Sequence, residues 1–359
     1  MRRNAVLIKL AIVLCFPVIA RCQQGTTVPV ISSGGIPILA SSVGDCSGAL
    51  EALHSARMVA TPDQSAPGPH PASIGTSGEG GTSLAAGDPA EALKFLAEKQ
   101  TEVTRCVLGT YAQGLAQDPP GSCYGELLLN FEMRHDGEPE RDIPILRRPG
   151  DGAFFYESGM TIDADGAPNA YHPDNSGLDD LANAGSPGRW EGLAKDADGN
   201  PIIQGENDPF PGYYVSATAL ADHSKASSDP ARYVDASKIP FLVLPGGMAR
   251  QLGAHVGDFA VIFNQRNGKF SYAIFGDVGP FDRIGEGSMA LAENLGVRSD
   301  ARNGGTRRGV LYLVFPGSGN GRPRTLEEIN AEGEKLMEGW ESSVLSAACV
   351  NSQPGDPPL

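Results

Sequence analysis

The apolar residues of this chain come in short runs, and that rhythm limits what it can build. From Gly121 onward they group as Leu127–Phe131, Ala153–Tyr156, Tyr213–Ala217, Phe241–Leu244, Phe259–Asn264, Phe270–Phe275 and Val310–Phe315, with turn-forming clusters between them. Runs of this length and composition predict short strands. Asn267-Gly268 sits between two of them and predicts a tight hairpin. Long polar loops are expected between Thr161 and Gly212. Glycine (46) and proline (28) are abundant in the 359 residues, which favours loops and strands over a helical bundle. The expectation is a mainly β fold, a small β-barrel with long loop insertions and flanking helices.

Helices are expected on either side of that region. Asp88-Pro89-Ala90-Glu91 has the residues of a helix start, and Leu93, Leu96, Val103, Val107 and Tyr111 follow at helical spacing. Asp118-Pro119-Pro120 should stop it. Thr325 and Glu328 form a capping box for a closing helix whose apolar face is Ile329, Leu336, Trp340 and Val344. The chain divides into an export signal over 1–22, a low-complexity region and linker over 23–87, and a helical segment over 88–120. A catalytic region over 121–318 and a carboxyl-terminal helix over 325–347 complete it.

The first 22 residues carry Arg2 and Arg3, an apolar run from Ala5 to Ile19, and small residues before a cut after Ala20-Arg21-Cys22. That pattern predicts secretion to an extracellular or periplasmic space, and no membrane association once the signal is cut. Cys46, Cys106, Cys123 and Cys349 then allow up to two disulfides in three pairings, which spacing alone does not resolve. A formal net charge of −15 opposes nucleic acid and anionic membranes and favours a cationic ligand. A monomer is expected.

The chemistry concentrates in Phe270–Leu295, FSYAIFGDVGPFDRIGEGSMALAENL. Asp277 is expected straight after a strand and Glu286 just before a helix, each flanked by glycines that permit unusual backbone angles and close approach. Two carboxylates in different surroundings can divide the acid and base roles of glycoside hydrolysis. Asp277 is assigned the acid and Glu286 the base. A second cluster runs from Thr161 to Pro173 and contains Asp163, Asp165, Tyr171 and His172, with Asp174, Asp179 and Asp180 following. With Trp190 it suits a cleft wall for an amino sugar: carboxylates for ammonium groups, aromatic faces for rings. Asp163-x-Asp165-Gly also matches half of a calcium-loop pattern, but the acidic ligand at its far end is missing, so no metal and no cofactor are expected. His172 and His223 lack metal spacing. Asp258, in a turn, reads as structural.

Gly276-Asp277-Val278-Gly279-Pro280, Ile284-Gly285-Glu286-Gly287-Ser288-Met289-Ala290-Leu291-Ala292 and the run Val310–Phe315 together resemble glycoside hydrolase family 75, the fungal-type chitosanases. The resemblance spans roughly Tyr124 to Gly317. It implies inverting endo-hydrolysis of the β-1,4 bonds of chitosan, with Asp277 and Glu286 as the catalytic pair. Val278–Asp282 departs from the longer loop of fungal members. The Asp-x-Gly-Pro turn is also similar to double-psi β-barrel enzymes, lytic transglycosylases and expansin-like proteins among them. This makes the expected barrel double-psi-like and keeps two other readings open: a peptidoglycan-cleaving enzyme and a non-catalytic wall-loosening module.

Overall fold

The computed structural model describes residues 126–135, 138–148 and 152–346, with scattered helical positions between 94 and 108. The export signal, the linker, the apolar stripe expected after Asp88 and every cysteine lie outside the described residues. The strands are β1 (Glu126–His135), β2 (Glu138–Arg147), β3 (Phe154–Asp163), β4 (Gly185–Ser186), β5 (Arg189–Trp190), β6 (Phe241–Pro245), β7 (Phe259–Asn264), β8 (Lys269–Gly279), β9 (Glu286–Ser288) and β10 (Thr306–Val314). Among the described residues, the α-helices seen from end to end are α1 (Gly246–Gln251), α2 (Met289–Asn294) and α3 (Leu326–Ser346).

Six strands close on themselves in the order β3-β10-β7-β8-β6-β9, with β9 pairing back to β3. The β6–β8 and β3–β9 pairs are parallel and the others antiparallel. The small barrel expected from the rhythm of apolar runs is therefore present. Its strands read as continuous apolar runs because both faces are covered. Leu242, Ile262, Phe275 and Tyr312 point inward and pack together with Phe154 and Tyr156. Their neighbours Phe241, Val261, Ile274 and Leu313 point outward, into a second cluster closed by Ile329 and Met337 of α3, by Leu108, and by loop residues such as Ala167 and Leu220.

The hairpin at Asn267-Gly268 joins β7 to β8, with Asn264 opposite Lys269 and Gly268 at a φ of +69°. The capping box of α3 forms: Thr325 N–H donates to the Glu328 carboxylate at 2.8 Å, and Glu328 N–H to the Thr325 hydroxyl at 3.2 Å. Gly333 lets α3 lie against β8, since a Cβ there would meet the Tyr272 ring at 2.4 Å.

Three expectations change. Tyr213–Ala217 is not a strand but makes isolated bridges, Tyr214 to Ile203 and Ser216 to Leu193, because its neighbours are loops. The strand β2 was not expected. Pro139, Pro144 and the charged residues between them hide it, and it mainly extends β1 as a ribbon beside the barrel. The strand ending near Phe275 continues to Gly279, and Glu286 opens a short strand, so both acids lie on strands and not in loops.

Asp258 is structural, as expected. It is buried and accepts hydrogen bonds from the backbone N–H groups of His255 (2.8 Å), Gly317 (3.0 Å) and Gly319 (2.8 Å), which ties the turn after β10 to the start of β7. Substituting Asp258→Ala orphans three donors. The expected loss, read by urea denaturation, is on the order of 2–4 kcal/mol.

Candidate active site

The site is built by register. Val243 of β6 pairs with Glu286 of β9 on one side and with Asp277 of β8 on the other. Residues level with one another on neighbouring strands point to the same face. Asp277 and Glu286 therefore project from the outer face of the barrel with one strand between them. Two interstrand steps set their backbones about 9–10 Å apart.

Asp277 reaches that face through a β-bulge. Leu242 pairs with Phe275 and the next residue, Val243, pairs with Asp277, so Gly276 is the extra residue. A bulge reverses the alternation of the strand beyond it. Without it, Asp277 would sit level with the inward-facing Leu244. Gly276 is glycine for space, not for its angles. A Cβ there would lie 2.6 Å from the Phe241 side chain, and its φ is not left-handed. The same holds at Gly279, where a Cβ would meet Val243 at 2.8 Å. Only Gly285 uses a left-handed angle, with φ +88°.

A loop holds the bulge from outside. Leu220 N–H donates to the Gly276 carbonyl at 3.0 Å, and Ala219 N–H donates to the Asp277 carboxylate at 2.7 Å. Val278 N–H donates to the same carboxylate oxygen at 2.8 Å. These bonds favour the charged form, yet burial pushes the Asp277 carboxyl up to about 6. Burial, with repulsion from Asp277 next, pushes Glu286 up to about 7, while Arg283 pulls the other way.

Asp163, at the end of β3, and Asp165, just beyond it, face the same place. Oxygens of Asp163, Asp165 and Asp277 lie within 4.8 Å of one another, a spacing that suits a bound cation. Asp163 is 7% exposed and accepts a hydrogen bond from Asp165 N–H at 2.7 Å. Burial raises both carboxyls well above their ordinary value, and next in effect are the Asp165 charge on Asp163 and the Asp277 charge on Asp165. The buried Tyr171 hydroxyl donates to Asp165 at 2.7 Å. The Ser216 hydroxyl donates to the same oxygen at 3.4 Å. Gly192 allows its backbone against that carboxylate, where a Cβ would meet an oxygen at 2.9 Å.

Sequence reasoning placed Asp163, Asp165 and Tyr171 on the cleft wall, and the structure brings all three together beside Asp277. Among the described residues, neither His172 nor Trp190 has a hydrogen bond to these carboxylates. His172 pairs with Asp174 and packs edge-on against Tyr213. Trp190 lies beside Tyr214. Asp179 and Asp180, named with this cluster from the sequence, support it, and further supports were missed. Asp179 is 3% exposed, accepts bonds from Asp180 N–H (2.7 Å) and the Asn183 amide (2.9 Å), and lies 3.4 Å from the Tyr171 hydroxyl. Arg302 holds this loop by donating to the Asp180 carboxylate (2.6 Å) and to the carbonyls of Asn175 (2.7 Å), Gly177 (3.1 Å) and Asp179 (2.9 Å). The acidic run Asp174–Asp180 pointed to Asp179. Nothing local pointed to Arg302, Ser216 or the N–H of Ala219.

The raised carboxyls carry a stability signature. Glu286 binds its proton more tightly folded than unfolded, so its contribution is full below about pH 4.5 and is lost as pH rises through about 7. Asp277 acts in the same direction between about 3.8 and 6. Thermal melts should find the protein less stable at pH 8 than at pH 5. Glu286→Gln should flatten that slope and recover on the order of 1–2 kcal/mol at pH 8.

Two comparisons fit this geometry. The family described as fungal chitosanase of glycosyl hydrolase group 75 matches residues 160–344, just over half of the chain and inclusive of Asp163, Asp165, Asp277 and Glu286. The chain is also similar to endo-chitosanase B of Aspergillus oryzae. The two are 29% identical over 212 residues, covering 56% of this chain and 83% of that protein.

Proposed function

The chain belongs to the fungal chitosanase family of glycosyl hydrolase group 75, and from that membership we propose that it is an exported endo-acting hydrolase of the β-1,4 bonds of chitosan, working with inversion through Asp277 and Glu286. The observation that carries this is the shared pairing of both acids with Val243. Acid and base in inverting enzymes stand about 6.5–9.5 Å apart to admit a water, against about 5–5.5 Å in retaining ones. One intervening strand supports the wider spacing.

The electrostatics favour a division of labour opposite to the one read from sequence. Asp277 accepts two backbone N–H bonds that favour its anion, and Glu286 feels the Asp277 charge. Glu286 is then the group that keeps the proton and gives it to the leaving oxygen, as general acid. Asp277 is the base that draws a proton from the attacking water. Water adds to the anomeric carbon as the glycosidic C–O bond breaks. The proton from Glu286 ends on the departing sugar and the proton from water on Asp277.

Asp163, Asp165 and Asp179 supply the negative wall. Three carboxylates beside the pair, two of them buried, favour a sugar bearing ammonium groups and discriminate against neutral and anionic ones. Tyr171 and Ser216 orient Asp165. His172 and Trp190 are assigned to more distant sugar positions. The sequence pattern of the first 22 residues supports export, and among the described residues no helix is long and apolar enough to cross a membrane.

The test is turnover of chitosan by purified variants, with products read by mass. Glu286→Gln and Asp277→Asn should each lower kcat by roughly 10²–10⁴-fold. The rate should rise to a maximum near pH 6–7 and fall on both sides, as Asp277 gains a proton below about 6 and Glu286 loses one above about 7. Retention of most activity by Glu286→Gln would return the single-acid, peptidoglycan-cleaving reading. Binding of chitosan without release of reducing ends would return the non-catalytic one.

A further inference from the structure

The ribbon β1–β2 does more than extend the sheet. Arg134 N–H of β1 donates to the Asp282 carbonyl at 3.0 Å, which pins the ribbon to the loop ahead of Glu286. Between the ribbon, β3 and the start of β10 lies a cavity of about 1290 Å³. Four of its lining residues are arginines, Arg141, Arg266, Arg307 and Arg308, against one carboxylate, Glu140. In a chain of net charge −15 this is a local reversal of sign.

The arginines are exposed. Among the described residues no carboxylate pairs with Arg141, Arg266 or Arg307, and Arg141 instead contacts the Met133 sulfur at 3.6 Å. A guanidinium is a planar fork matched to carboxylate or phosphate. The cavity exceeds the about 300–1,000 Å³ usual for small-molecule sites, so it suits an extended ligand better than a single ion. The backbones of Gly285 and Gly305 also line it, along with Thr161. Thr161 is the β3 partner of Glu286, so the cavity adjoins the acidic site directly.

We infer that this cavity binds a carboxylate-bearing polysaccharide, a polyuronate, beside the site that cuts the cationic one. The choice of a glycan over another polyanion rests on the polysaccharide reading of the neighbouring site. Opposite charges in adjoining grooves let one molecule hold an acidic wall polymer while working on a basic one.

The experiment is calorimetric titration of the whole protein with an oligogalacturonate, a neutral β-glucan oligomer and inorganic phosphate, with chitosan turnover measured in parallel. Saturable binding of the oligogalacturonate is expected, weakening steeply with added salt. The double variant R266A/R307A, which changes two exposed side chains, should weaken it at least tenfold and leave chitosan turnover unchanged. Absence of saturable binding, salt-independent binding, equal affinity for the neutral oligomer, or an unaltered double variant would each overturn the inference. Phosphate binding as tightly as the oligomer would overturn the polysaccharide assignment. Oligogalacturonate binding without any chitosan cleavage would support the inference and remove the chitosanase reading alone.

Discussion

The extra residue at Gly276 sets the geometry on which the rest of the site depends. It shifts β8 by one place against β6 and turns Asp277 from the barrel interior to its outer face, level with Val243. Glu286 meets the same Val243 from the other side. One valine thus spaces two acids, and backbone hydrogen bonds on both flanks hold that spacing. Because Phe241 fills the space beside Gly276, the bulge admits no side chain. The loop at Ala219–Leu220 then clamps both the bulge carbonyl and the carboxylate it exposes. Barrel register, bulge and loop form one arrangement, since none of the three fixes Asp277 alone.

Around this pair the protein gathers more negative charge than it neutralises. Asp163, Asp165 and Asp179 are partly or fully buried, and burial raises the proton affinity of each. Such a cluster works against folding at neutral pH, and its retention fits a site whose ligand brings the missing positive charge. The hydrogen bonds from Tyr171, Ser216 and Asn183 keep the carboxylates apart and aimed in the absence of that ligand. The basic cavity beside Thr161 marks where this acidic field ends.

Much of the barrel was legible because its signals are local. Runs such as Phe259–Asn264 are apolar on both faces, and Asn267-Gly268 states its own turn. The capping box at Thr325 was legible for the same reason. β2 was not, because Pro139 and Pro144 sit in a ribbon outside the ring where the usual penalties on strand proline are weak. The two acids were legible as a pair, but their placement was not. A bulge depends on how β8 meets β6 some thirty residues away, and no local pattern encodes that register. The glycines beside Asp277 were read as permitting unusual backbone angles and close approach; Gly276 and Gly279 serve the second, making room for Phe241 and Val243. The supports of the site, Arg302 and the N–H of Ala219, act across more than fifty residues and left no periodic trace.

Whether two acids separated by one strand act from opposite faces of the sugar, with a water between, is read most directly from the stereochemistry of the first product. Proton NMR of chitosan oligomers during the opening seconds of hydrolysis distinguishes the anomers before they interconvert. The spacing across Val243 predicts that the α-anomer appears first. Initial release of the β-anomer would contradict it, since retention needs the carboxyl groups close enough for one of them to bond to the sugar.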